Sequence, residues 1–289
     1  MERTYPPALL TAVLLLALLI VGLYSGQGLL AAEEMPAKPQ ADIRWIKNPS
    51  PPFHILDGHH AGYGICDVLV DKINARLSPL DTTIDVYPQS RINRLIEGTE
   101  NLCFPCMIKR KDTERFVYSK TTTVYPPLGI ILRKELFAQL YPTPPEALSL
   151  AELLNNDSLI FGFAGARRFP DELQSAIDAH KDDDNVLALP GVLGPLRLLK
   201  QIDFERIHYT LDYPGVLRYF AIKENNQSLT YMLTKEYGEQ PVYGAIGCTN
   251  NAWGKRAVKA IDSVLDEVIA DPEYRENQTF WLNTLPENP

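Results

Sequence analysis

The chain has 289 residues, of which 45% are hydrophobic, 22% charged and 9% aromatic, a globular composition that excludes disordered and collagen-like classes. Lys and Arg number 28 against 36 Asp and Glu, for a formal net charge of −8, and they are spread along the chain without a basic block. A nucleic acid is therefore excluded as a partner, because gripping a phosphate backbone takes clustered cations.

Ala8 to Leu23 is an uncharged, nearly all-apolar run, preceded by Arg3 and followed by the small residues Ser25, Gly26, Gly28, Ala31 and Ala32. It is short for a bilayer crossing, which takes roughly 20 residues. Residues 1–32 are read as a signal peptide cut near Ala32, with an uncleaved membrane anchor as the alternative because Glu2 weakens the positive leader. Either way the folded part is expected outside the cytoplasm, in the periplasm. Residues 33–40 (EEMPAKPQ) read as a polar, Pro-bearing spacer.

From Asp42 the signals alternate. Ile43 and Trp45 mark a strand, Val68, Leu69, Ile73 and Leu77 a helix, and Ile84 and Val86 a second strand. Ile92, Leu95 and Ile96 mark a helix ended by Gly98, and Leu102 to Ile108 a third strand. This βαβαβ order predicts a parallel, doubly wound sheet, since parallel neighbours need helical crossovers. The break at Tyr125-Pro126-Pro127 is a candidate hinge, and Leu128 to Leu132 reads as a strand beyond it. A second alternation follows: helix near Ser149 to Leu154, strand Leu159 to Phe163, helix Asp171 to His180, strand Val186 to Leu189, helix Leu193 to Ile202, strand Ile207 to Leu211. After Pro241 come a strand Val242 to Gly247, an amphipathic helix through Val258, Ile261, Leu265 and Ile269, and a short helix Tyr274 to Leu282. The pattern predicts an α/β protein of two lobes joined by two hinge crossovers. Residues 41–127 and 242–289 form lobe one, 128–241 lobe two, and each lobe is a doubly wound, mostly parallel sheet. Ligands in such folds bind beyond the carboxyl ends of the strands.

Three stretches read together carry a family likeness. Ile43-Arg44-Trp45 is followed by Pro51-Pro52-Phe53, Asp57-Gly58 and Gly64-Ile65-Cys66-Asp67; Gly98 by Leu102-Cys103, Thr113-Glu114-Arg115 and Tyr118-Ser119-Lys120; and Gly244 to Gly247 by Cys248 and Trp253-Gly254. In order and spacing, over about Asp42 to Leu282, this resembles the family 3 extracellular solute-binding proteins, the polar amino acid type of periplasmic binding protein with a type II fold, in a little-characterised branch. The resemblance implies a monomer that closes on a small-molecule ligand and delivers it to an ABC-type permease, with no catalytic residues, no metal and no cofactor.

The same resemblance implies roles for individual residues. Arg115 stands where the family's arginine grips a ligand carboxylate, a task suited to a bidentate guanidinium. The family's threonine three residues earlier is replaced by Asp112. The family also uses the turn Gly162 to Arg168 for ligand contacts, and here Ala166-Arg167-Arg168 brings charge in place of hydroxyls, so Arg167 is a second ligand-binding candidate and the solute is expected to be anionic or amino-acid-like. His208, in Arg206-Ile207-His208-Tyr209, occupies the place of the family's ammonium-binding aspartate. Asp212, four residues on, is a candidate substitute or an ordinary loop carboxylate. Phe53 and Trp45 are the favoured cleft aromatics, with core burial as the competing account.

The cysteines at 66, 103, 106 and 248 suggest disulfides in an exported chain, with three pairings open. In the family's fold the strand of Cys103 neighbours the returning strand that ends at Cys248, so the resemblance implies a Cys103–Cys248 bond. Cys103-Phe104-Pro105-Cys106 also reads as a CxPC motif, which supports a periplasmic thiol–disulfide protein as the competing function. A stand-alone sensory binding module is the third. His54, Asp57, His59 and His60 form the densest histidine cluster and read as a loop tip rather than a metal site.

Overall fold

The structure, a computed structural model, describes residues 42–109, 114–190 and 194–283. The expected leader, the spacer and the Asp112-Thr113 pair lie outside these residues.

The first segment runs β1 (Ile43–Lys47), α1 (Ile65–Leu77), β2 (Thr82–Val86), α2 (Gln89–Glu97), β3 (Cys103–Ile108) and β4 (Phe116–Tyr125). After the Pro126-Pro127 crossover come β5 (Gly129–Arg133), α3 (Lys134–Leu140), β6 (Ala147–Leu148), α4 (Leu150–Leu154), β7 (Phe161–Ala164) and α5 (Asp171–Ala179). There follow β8 (Val186–Leu189), α6 (Pro195–Asp203), β9 (Tyr209–Asp212), α7 (Pro214–Glu224) and β10 (Leu229–Thr234). A second crossover leads to β11 (Val242–Thr249), α8 (Ala252–Ala270) and α9 (Pro272–Leu282). Elements β4, α3, β6, α7 and β10 fall where the sequence reading places none.

The strands form two sheets, ordered β2-β1-β3-β11-β4 and β6-β10-β5-β9-β7-β8. Each sheet is parallel except for one strand: β11 runs against β3 and β4, and β5 runs against β9 and β10. These two reversed strands are the ones the chain enters directly after a crossover. A chain that leaves one sheet at its carboxyl ends and enters the next at its carboxyl ends must run backwards through its first strand. Register agrees, since Tyr125 at the end of β4 lies opposite Val242 at the start of β11, and Asp212 at the end of β9 lies opposite Gly129 at the start of β5. Both crossovers therefore lie at the carboxyl ends of the parallel strands.

Both faces of each sheet are covered, as parallel sheets require. In the first sheet Ile43, Trp45, Cys103 and Ile246 pack under α1, α8 and α9 with Leu69, Ile73, Ile261 and Leu265, while Ile46 packs with Ile92 and Leu102 under α2. In the second, Ile130 and Leu132 join a core with Leu153, Phe161, Leu173 and Tyr209, whereas Ile131 between them points to Leu198, Ile202, Val216 and Phe220. That alternation is the two-residue period of a strand buried on both sides.

Helices α4, α8 and α9 start on side-chain caps. The Asn251 side chain accepts from the Gly254 N–H at 2.9 Å, and Asp271 accepts from Glu273 and Tyr274 with Pro272 in the first turn of α9. In α4 the Glu236 carboxylate reaches back to the Leu150 and Ala151 N–H groups, both at 3.0 Å. Those bonds outweigh the burial that opposes its charge and hold its carboxyl below the usual range.

Candidate functional site

With both crossovers at the carboxyl ends of the strands, the residues just after β1, β7 and β9 are the ones that face across the lobes. The turn after β7 carries Arg167, whose N–H donates to the Ala164 carbonyl at 2.9 Å. Asp212 closes β9 at the same end of the sheet, and the two side chains meet: Arg167 Nη1 lies 2.7 Å from Asp212 Oδ2, and Nη2 donates to Oδ1 at 2.9 Å. Oδ1 also accepts the Tyr213 N–H at 2.8 Å. Burial alone would disfavour charge on Arg167, but Asp212 more than compensates and raises its affinity for its proton. The guanidinium carbon lies 5.3 Å from the Phe169 ring centre and 5.8 Å from that of Tyr213, within cation–π range.

The first lobe contributes an aromatic wall. Phe53 meets Tyr125 edge-on at 5.4 Å between ring centres and Tyr213 at 5.7 Å, and Tyr125 and Tyr213 are 5.9 Å apart. One ring comes from the loop after β1, one from the end of β4 at the first crossover, and one from the start of α7, so the cluster spans both lobes. Tyr213 packs against the cores of both sheets. Farther along the cleft, Asn93 of α2 donates from Nδ2 to the Ala166 carbonyl at 3.4 Å, joining α2 to the Arg167 turn.

The aromatic wall stands on a disulfide. Cys66 in the first turn of α1 bonds Cys106 of β3, with Cα atoms 6.0 Å apart. Tyr125 places its hydroxyl 3.3 Å from the Cys106 sulfur and 4.0 Å from that of Cys66. Neither sulfur carries a proton, so the hydroxyl is the donor. Burial lifts the Tyr125 hydroxyl far above the usual range, and it stays neutral. Beside it, Asp67 accepts from Lys47 Nζ at 2.9 Å and from the Ile55 N–H at 2.8 Å, and faces His54 Nδ1 at 3.0 Å.

The sequence candidates divide. Arg167 and Phe53 are at the cleft. Trp45 is not: its side chain is 1% exposed in the core under α1, and its indole N–H donates to Asn74 Oδ1 at 2.9 Å. His208 precedes β9 at its amino end, where Nδ1 accepts the Ile160 N–H at 2.8 Å; it is a strand-edge acceptor, and the cleft carboxylate is Asp212. Arg115 immediately precedes β4, whose first residue Phe116 lies opposite Thr249, and its carbonyl accepts the Asn250 N–H at 2.9 Å. The ten residues of β4 separate that end from the crossover at Tyr125, roughly 30 Å along an extended strand. The structure thus does not bring Arg115 and Arg167 together. Cys103 and Cys248 lie directly opposite on β3 and β11 and are paired, with Cα atoms 4.0 Å apart. In the histidine cluster His54 turns inward to Asp67, while His60 lies 5.3 Å from the Trp281 ring. Among the described residues no three His, Cys, Asp or Glu side chains are placed to hold a metal ion.

No protein-family model matches the chain, and no curated protein matches it. Solved structures do. A Listeria monocytogenes protein described as an L-cystine ABC transporter is 14% identical over 83% of this chain and 95% of its own, with a TM-score of 0.62. A mutant of ArgBP from T. maritima is 14% identical over 83% of this chain and 93% of its own, with a TM-score of 0.59. The ancestral amino acid-binding protein AncCDT-1, a precursor of cyclohexadienyl dehydratase, is 11% identical over 83% and 95%, with a TM-score of 0.60. At these identities the likeness is one of fold: this chain has the two-lobe α/β fold of the amino-acid-binding periplasmic proteins that its motifs resemble.

Proposed function

We propose that the chain is an exported solute-binding protein whose lobes, 41–127 with 242–289 and 128–241, close on a small anionic or amino-acid-like solute and deliver it to an ABC-type membrane permease. The observation that carries this reading is the Arg167–Asp212 pair at the carboxyl ends of β7 and β9, set beside a cluster of rings drawn from both lobes. A concave site with an apolar wall and a few placed charges is what small solutes need. Two crossovers at one edge let such lobes rotate about a shared hinge. The binding roles of ArgBP and of the L-cystine transporter protein favour the same reading, although function belongs to the site rather than to the fold.

The fold also hosts chemistry, since AncCDT-1 precedes an enzyme. Here binding is favoured over catalysis because the converging groups, an internally neutralised ion pair and three rings, hold a solute without supplying a nucleophile. The thiol–disulfide reading is disfavoured by connectivity: Cys103 bonds Cys248 and Cys106 bonds Cys66, so the two cysteines of the CxPC motif are committed to different partners.

A thermal-shift screen of amino acids, dicarboxylates and short peptides tests the proposal. A solute present at 100 times its dissociation constant should stabilise the protein by about 2.7 kcal/mol. A panel that leaves the melting temperature unmoved would contradict it.

A further inference from the structure

Three side-chain amides stand in a row between the lobes. Asn93 of α2 donates from Nδ2 to the Ala166 carbonyl at 3.4 Å, and its Oδ1 accepts from Gln89 Nε2 at 2.8 Å. Gln89, the first residue of α2, accepts in turn from Asn48 Nδ2 at 2.9 Å, and Asn48 Oδ1 takes the Ser50 hydroxyl at 3.1 Å. Ser50 belongs to the turn of Phe53, whose N–H donates to the Ser50 carbonyl at 2.8 Å. The four side chains of the row are half-buried.

The direction of the row is set at its far end. A carbonyl oxygen only accepts, so Asn93 must present its NH2 to Ala166 and keep its own oxygen for Gln89. Gln89 must then turn its oxygen to Asn48, and Asn48 its oxygen to a hydroxyl. One amide reversed would leave two acceptors face to face. Bonds aligned this way polarise one another, which favours the row as a unit. At its end the peptide joining Ala166 to Arg167 is held from both lobes: its N–H donates to the Ala164 carbonyl at 2.9 Å, and its C=O is held by Asn93. That link between lobes is the longest of the row, so it is the one to part when the lobes separate.

We infer that Asn93 is the latch of the closed lobes, a positioning residue that fixes the peptide of Arg167 from the opposite lobe, and that Gln89 and Asn48 set the direction in which it bonds. The inference rests on the solute-binding reading above, since it states how closure by one lobe aligns the charge carried by the other. The row ties the turn of Phe53, a cleft ring, to the turn of Arg167, the cleft cation.

Hydrogen exchange of the Arg167 amide, followed by NMR in the solute-free protein, tests it. Asn93→Asp keeps the shape and the bond from Gln89 but turns an acceptor to Ala166. The net worth of one neutral hydrogen bond corresponds to roughly two- to tenfold in a population ratio, and Arg167 exchange should quicken by that factor. The Gln89 variants separate a latch from an effect on the helix. Gln89→Glu cannot donate to Asn93, so the Asn93 amide turns over and Arg167 exchange should quicken as in Asn93→Asp. Gln89→Lys still donates to Asn93 and should stay near the wild-type rate. Helix stability predicts the opposite order, because an acid suits the first turn of α2 and a base does not. The Ile131 amide, inside the second sheet, is the control and should be unchanged in every variant. Wild-type Arg167 exchange in both Asn93→Asp and Gln89→Glu would overturn the latch, as would protection lost in Gln89→Lys and kept in Gln89→Glu. With no solute present, either result leaves the solute-binding reading standing; that reading falls only if the thermal-shift screen finds no binder.

Discussion

His54 is a buried imidazole, 1% exposed, with Nδ1 against Asp67 and with no partner for Nε2 among the described residues. Burial disfavours its charged form more than Asp67 favours it, so its pKa is lowered. Burial likewise opposes charge on Asp67, but His54, Lys47 and the Ile55 N–H outweigh it and hold that carboxyl below its usual range. Below about 6.5 the unfolded chain takes up a proton on this histidine that the folded chain refuses, so stability is full above that pH and is lost as pH falls through it. Asp67 adds a second loss at lower pH, in the carboxylate range. Melting temperatures measured between about pH 5 and 7.5 should fall on acidification in the wild type and fall less in His54→Asn, which keeps a donor near Nδ1 but cannot titrate. Equal slopes in the two proteins would remove His54 from the account.

At this scale the cleft was half legible. Arg167 could be placed because a turn between a strand and a helix faces the carboxyl ends whatever its sequence. His208 lies at the amino end of β9, whereas the strand expected at Ile207 to Leu211 ends on Asp212, and the carboxyl-end rule points there. Arg115 immediately precedes β4, a strand without a hydrophobic period, so its distance from the crossover is not legible in the sequence. Trp45 sits on a two-residue period with Ile43, a core signal, and its burial follows from that period.

Among the elements, the reversed strands β5 and β11 tie the fold together, and β11 is fastened by covalent chemistry as well. The Cys103–Cys248 bond closes a span of 145 residues that contains the whole second sheet. Chain-entropy estimates for so long a loop approach about 5 kcal/mol, with wide scatter. Cys103→Ala/Cys248→Ala should therefore lower the denaturant midpoint clearly, by more than Cys66→Ala/Cys106→Ala, whose span is 40 residues. Equal losses would mean that local packing, and not the closed loop, dominates.

Helix α7 makes the second elemental link. A Cβ at Gly215 would lie 2.7 Å from the Trp281 carbonyl oxygen of α9 and 3.4 Å from Pro52, so the helix of one lobe reaches the backbone of the other only because this residue has no side chain. Tyr219, one turn on, meets Trp281 at 5.4 Å between ring centres. Gly215→Ala should cost about 1 to 3 kcal/mol by overpacking, read as a drop in melting temperature. No loss would show that the α7–α9 approach is loose. The helix itself escaped the sequence reading because Pro214-Gly215 is a turn signal, although proline is equally at home in a first helical turn. The ten residues of β4 carry ample β-branched and aromatic side chains, but their central Ser119-Lys120-Thr121-Thr122-Thr123 is polar: Ser119 turns its hydroxyl to the Ile246 N–H, and Thr123 bonds the Tyr274 hydroxyl. A strand whose buried positions are satisfied by hydroxyls has no hydrophobic period to read.

At the scale of the molecule, the lobes meet where α7 packs on α9 at Gly215 and where Asn93 of α2 bonds the Ala166 carbonyl beside Arg167. The exported form is expected to begin near residue 33, and mass spectrometry of a periplasmic fraction should find that amino terminus; an intact Met1 in a membrane pellet would favour the anchor. The central claim is that binding is closure. Small-angle scattering of the mature chain, alone and saturated with a solute that raises its melting temperature, tests it most directly. The account predicts a smaller radius of gyration with the solute bound and a weaker contraction in Arg167→Gln at equal saturation. A radius that the saturating solute leaves unchanged would contradict it.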